Sequence, residues 1–160
     1  MNTKLLISIL CFIFAYTVIT AQEGGLQTSG KLSKGGNIEF KDIDKEVTRA
    51  VDNFFTKVIK DDLKNGFDEL LKNSVIALKR DDVENLRKQT ERSMEIYGKI
   101  LSFEFVNAER VTDSYLRVRY IGLHSNYPMR WVFTFYRSPD KGWIITNVKF
   151  DDMSEYFFTD

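Results

Sequence analysis

The hydrophobic period of this chain changes once, at Gly98, and that change restricts the folds open to it. Before Gly98, Val47, Ala50, Val51, Phe54, Phe55, Val58 and Ile59 recur at i, i+3, i+4, i+7, i+8, i+11 and i+12, the spacing of an amphipathic helix. Asp44 stands where an N-cap is needed, and Glu46 adds favourable negative charge to the first turn. Asn65-Gly66 is the predicted end of this helix, because glycine takes the left-handed conformation at no steric cost. Residues 67–72 read as a short second helix, and Val75, Ile76, Ala77 and Leu78 as a short extended piece. A third helix is expected from Asp81 or Asp82, with Val83, Leu86, Thr90, Met94 and Tyr97 on its apolar face and Gly98 as its stop.

After Gly98 the period is two. Leu101, Phe103 and Phe105 alternate, and further strands read over residues 115–124, 129–136 and 143–150. The breaks at residues 112–114, 125–128 and 138–142 are short and rich in Ser, Asp, Asn, Pro and Gly. Consecutive strands joined this way pair as antiparallel hairpins. The expected fold is therefore α+β: N-terminal helices packed on one face of a four-stranded antiparallel meander.

Setting His124 opposite Met129 across a four-residue turn sorts the side chains of the central hairpin. Leu116, Val118, Tyr120 and Gly122 then share a face with Trp131, Phe133 and Phe135, which is the predicted core face. Tyr115, Arg117, Arg119, Ile121 and Leu123 share the other with Arg130, Val132, Thr134 and Tyr136, a mixture of cationic and apolar residues richer than a plain solvated face.

The N-terminus has a separate character. Lys4 precedes an apolar run over residues 5–19, Thr20-Ala21 offers a small residue for a peptidase, and polar sequence begins at Gln22. That order is the grammar of a secretory signal peptide. The run of about 15 residues is shorter than the roughly 20 needed to span a bilayer. Cys11 lies inside the apolar run behind the bulky Leu10, which argues against a lipid anchor. The predicted organisation is a signal peptide over residues 1–21, a flexible linker over 22–40, an α+β domain over 41–152 and a C-terminal tail over 153–160. The expected location is outside the cytoplasm, periplasmic or extracellular, with no membrane span left after cleavage.

Removing the leader takes away the only Cys, so the mature chain has no disulfide or thiol chemistry. It also takes Lys4, leaving 22 basic against 23 acidic residues. Such a balance gives no global attraction to nucleic acid, and export argues against such a partner as well. With one His and no remaining Cys, zinc sites of the usual kind are not available. The adjacent carboxylates Asp61-Asp62, Asp81-Asp82 and Asp151-Asp152 make poor acid–base pairs. Helix caps and solvated ends explain the first two, and the stretch from Asp151 to Glu155 lacks the spaced ligands and Gly of a calcium loop. His124, beside a turn, is expected to be solvent-exposed. No catalytic residue, metal or cofactor is assigned.

The order long helix, short helix, third helix ending at Tyr97-Gly98, then Phe133-Thr134-Phe135-Tyr136-Arg137 leading to Gly142-Trp143-Ile144-Ile145, resembles the NTF2-like (cystatin-like, α+β cone) superfamily over residues 44–152. Within it the chain looks like the small secreted bacterial domains without assigned activity. The resemblance implies a curved sheet whose cone holds a small-molecule pocket at its mouth and whose convex face forms homodimers. Tyr97, Tyr120, Trp131 and Phe133 are then the candidate pocket for a small apolar ligand. Tyr115, Arg117, Arg119, Arg130 and Tyr136 are the candidate partner or dimer face. Enzymatic members of the superfamily, isomerases and hydrolases among them, carry an acid–base set of Asp, His or Tyr inside the cone. The core-facing strand residues here are apolar or aromatic, so a non-enzymatic domain binding a small ligand or a protein is expected. The alternatives are an enzyme using Tyr97 or Tyr120 as its acid, and a structural accessory module of an envelope assembly.

Overall fold

A computed structural model describes residues 35–158. The signal peptide read in residues 1–21, with Cys11, and the first part of the linker lie outside the described residues. Three α-helices, α1 (Lys45–Ile59), α2 (Leu63–Leu70) and α3 (Arg80–Tyr97), pack against an antiparallel sheet of five strands. The strands are β1 (Gly36–Ile38), β2 (Ile100–Thr112), β3 (Tyr115–His124), β4 (Pro128–Ser138) and β5 (Gly142–Asp151), and they are adjacent in chain order. The fold class is α+β, with one more strand than the four expected. The extra strand, β1, falls in the stretch read as linker and pairs with β2 through Gly36↔Arg110, Asn37↔Glu109 and Ile38↔Ala108.

Helix α1 follows its sequence signals at the start. The Asp44 side chain accepts a hydrogen bond from Glu46 N at 3.0 Å, satisfying one of the free donors of the first turn. Val47, Val51, Phe54, Phe55 and Val58 are buried along one stripe. The end differs from expectation. The chain turns at Asp61, whose φ is 60°, and Asn65-Gly66 lies inside α2 rather than at a terminus. Gly66 is buried there, where a Cβ would already touch Phe54 and Lys57 at 3.5 Å. Residues 75–78 form a 3-10 turn, not an extended piece. Ser74 determines this: its Oγ accepts from Ile76 N at 3.1 Å and donates to the Ile145 carbonyl at 2.6 Å, capping the turn and tying it to β5.

The central hairpin pairs with Gly122 opposite Met129 and Leu123 opposite Pro128, two residues away from the register that sets His124 opposite Met129. A slip of two preserves the side-chain parity. Leu116, Val118, Tyr120, Trp131, Phe133 and Phe135 are therefore all buried on one face. Irregularities in β2 near Leu101, Val106 and Val111, and in β5 near Thr146, interrupt the ladder and increase local twist and bending. Phe54 and Phe55 of α1 sit on this face, 5.4 and 5.5 Å from the Trp131 ring and both 5.9 Å from that of Phe133. Phe103 stacks on Phe55 at 4.6 Å and Phe150 on Trp131 at 4.5 Å. Gly122 makes room for the indole: a Cβ there would lie 3.0 Å from Trp131 Nε1. Among the described residues no helix is long and apolar enough to cross a membrane.

Candidate functional site

The sheet face opposite the helices carries a row of charged and polar side chains. Its geometry follows from the register. Tyr115 and Tyr136 stand directly opposite one another on β3 and β4, 40% and 38% exposed. Further along, Arg117 faces Thr134, Arg119 faces Val132 and Ile121 faces Arg130. On β5, Asn147 lies opposite Thr134, Lys149 opposite Val132 and Asp151 opposite Arg130. All five residues of the expected partner face thus occur on one surface. Arg117, Arg119, Arg130 and Lys149, with Val132, Thr134 and Asn147, line a depression of about 230 Å³.

Two of the arginines are held in place. Arg130 forms a bidentate pair with Asp151, Nε to Oδ1 at 3.0 Å and Nη2 to Oδ2 at 2.7 Å. The ring of Tyr156, from the 3-10 turn Ser154–Phe157, lies 5.4 Å from its guanidinium carbon. Arg119 donates to Asn107 Oδ1 at 2.9 Å and to Glu109 Oε2 at 2.7 Å. The Arg119 hydrogen bond holds the Glu109 carboxyl below its ordinary range, and the charges of Arg119 and Arg117 act in the same direction. Arg117 is looser, 3.9 Å from Glu109 with its side chain 47% exposed. Lys149 has no ion pair among the described residues and is exposed. Pairs of this kind contribute little to stability at a surface, but bidentate geometry fixes where a guanidinium points.

Lys149 and Asn147 were missed by sequence reasoning, although the alternation Asn147, Lys149, Asp151 along β5 was a usable signal. The carboxylates that hold the arginines were missed too. Asp151 was weighed only as part of an acid–base pair or a calcium loop, and the Glu109 contact depends on a diagonal across β2 and β3.

The residues of the expected interior pocket are placed differently. Tyr120, Trp131 and Phe133 are buried, with the rings of Phe54 and Phe55 against them. The Tyr120 hydroxyl is buried with no hydrogen-bond partner among the described residues. Burial first, and then the charge of Asp52, raise the Tyr120 phenol above its ordinary range. Tyr97 stands apart at the end of α3 and donates to Asp152 Oδ2 at 2.6 Å in an exposed setting. That hydrogen bond raises its pKa. Both tyrosines are thereby held more firmly protonated, which weakens them as acids.

His124 is buried, not exposed as its place beside a turn suggested. The backbone carbonyl of Gly98 lies 2.6 Å from Nδ1. A carbonyl only accepts, so Nδ1 carries the proton. Nε2 is buried without a partner among the described residues. Burial depresses the His124 pKa, against an opposing pull from the Gly98 hydrogen bond. The folded protein therefore binds a proton less readily than the unfolded chain, and stability falls as pH drops below about 6.5, the unfolded value. Urea midpoints at pH 7.5 and pH 5.0 are expected to differ in the native protein, the lower value at pH 5.0, and to converge in His124→Gln. Equal midpoints in the native protein would contradict this.

Among the described residues no group of three or more His, Cys, Asp or Glu side chains is arranged to hold a metal ion. Comparison of the chain with family models, with curated protein sequences and with solved structures gives no significant match.

Proposed function

We propose that this chain is an exported, non-enzymatic domain of the NTF2-like kind that binds a protein partner, in the first instance a second copy of itself, through the sheet face opposite its helices. The observation that carries this reading is the fixed arginine array: Arg119 and Arg130, each oriented by two hydrogen bonds, beside the exposed pair Tyr115 and Tyr136. Arg and Tyr are the residue types that anchor interfaces, and groups already oriented lose less entropy on association. The same face carries Glu104, Glu109 and Asp151, so a twofold axis can set cations of one copy against carboxylates of the other. The packing of Phe54 and Phe55 over Trp131 and Phe133 favours this surface over an interior ligand.

Sedimentation velocity over a wide concentration range tests the proposal. The native mature domain is expected to self-associate, and Arg119→Glu or Arg130→Glu to weaken that by at least about tenfold, or roughly 1.4 kcal/mol. A native protein that stays monomeric at high concentration would exclude the homodimer.

A further inference from the structure

We infer that the depression at the centre of the outer sheet face binds a phosphate group, free or as the monoester of a small molecule. The charge arithmetic is local. Four cations line the depression and no carboxylate does. Among the lining cations and the carboxylates hydrogen-bonded to them, Glu109 offsets Arg119 and Asp151 offsets Arg130. That leaves two positive charges, on Arg117, only 3.9 Å from the shared Glu109, and on Lys149; Glu104 is on the same face but does not line the depression. A phosphate monoester carries about −1.5 to −2 charge at pH 7 with three acceptor oxygens, so it matches that excess where a monoanion does not.

The donor set suits the same ligand. Arg119 and Arg130 give fixed guanidinium planes, and guanidinium matches phosphate geometry bidentately. Arg117 and Lys149, the two looser cations, can close on a bound group. Thr134 and Asn147, paired across β4 and β5, add neutral polar atoms, and Val132 adds apolar surface between Arg119 and Lys149. At about 230 Å³ the depression is below the usual range for drug-sized ligands of ~300–1,000 Å³, a size that suits a phosphate with a small body such as one sugar. The depression lies within the face proposed for self-association, so phosphate and a second copy draw on the same cations. The titration is therefore run at a protein concentration at which sedimentation shows monomer, where failure to bind phosphate counts against this inference alone.

Isothermal titration at pH 7.5 and low salt, where charge is least screened, tests it with inorganic phosphate, glucose 6-phosphate and glucose. Native protein is expected to bind at least one phosphate-bearing probe and not glucose. Tighter binding of the ester would identify the monoester as the ligand, and equal or tighter binding of inorganic phosphate would identify the free anion. Lys149→Gln, at an exposed side chain without an ion pair, is expected to keep the fold and weaken binding at least tenfold, and Arg117→Gln to do likewise. Affinity is also expected to fall at pH 5, as phosphate loses its second charge near pH 6. No binding by native protein, or binding undiminished in both variants, would overturn the inference.

Discussion

Phe54→Ala is expected to lower the unfolding free energy by about 3–5 kcal/mol. Whole domains are stable by only about 5–15 kcal/mol, so this single truncation removes a large share of what holds the fold. The reason is position. Phe54 is 1% exposed and meets four other aromatic rings: Phe55 at 5.3 Å, Phe67 at 4.9 Å, Trp131 at 5.4 Å and Phe133 at 5.9 Å. It joins α1 to α2 and to the sheet at once. Neighbours held by three elements cannot all collapse into the space left, so the loss includes a cavity contribution beyond the transfer of the ring. Urea unfolding should show a lower midpoint with little change in slope. The cavity supplies a second readout. A dry apolar cavity takes up benzene, so benzene is expected to stabilise Phe54→Ala and not the native protein. A loss under about 1 kcal/mol, or stabilisation of the native protein by benzene, would show that the interior is not filled by this ring.

Gly98→Ala is expected to cost about 2–5 kcal/mol, from backbone strain and steric displacement together. Gly98 follows α3 with φ 86° and ψ 174°, a region open essentially to glycine alone. An added Cβ would lie 1.8 Å from Ser125 Oγ and 3.1 Å from Ser125 Cβ. The corner is also tied by backbone hydrogen bonds, Ser125 N to Lys99 O at 3.1 Å and Asn126 N to Tyr97 O at 2.9 Å. The chain there cannot shift without breaking the join between α3 and the sheet. Ser125→Gly in the Gly98→Ala background removes the clash and leaves the backbone strain, so partial recovery of the urea midpoint is expected. Gly36→Ala is the control: nothing lies within 4 Å of its added Cβ, and the change should stay within about 0.5 kcal/mol. A Gly98→Ala protein as stable as that control would contradict the assigned corner.

The parts of this fold that are legible in the sequence are those governed by parity and period. The two faces of the central hairpin are sorted correctly even though the assumed register is off by two, because only an odd slip exchanges faces. The apolar stripe of α1 is legible for the same kind of reason, since its seven positions match one helical face. The features that escaped depend on contacts distant in sequence or on backbone conformations that residue type does not announce. Asp61 turns the chain in a left-handed conformation that is uncommon for a residue other than glycine, so the break between α1 and α2 had no glycine to mark it. The three residues of β1 are too few to show an alternation, and their strand character comes from pairing with β2. The burial of His124 depends on the corner at Gly98, which covers the strand end from outside. On the outer face the arginines were visible as residue types. Their orientation was not, because Asn107, Glu109 and Asp151 come from two flanking strands.

The packing of Phe54 and Phe55 over Trp131 and Phe133 and the arginine face together turn the functional question toward the outer surface of the sheet. Sedimentation velocity of residues 22–160 with the native sequence and with Arg119→Glu, compared across the same concentrations, addresses that most directly. The expected result is a concentration-dependent shift from monomer to dimer in the native protein, displaced to at least tenfold higher concentration in the variant, with far-ultraviolet circular dichroism unchanged between them. A native protein that remains monomeric throughout, or a variant that dimerises as readily as the native chain, would contradict the assignment of the arginine face as the homodimer surface.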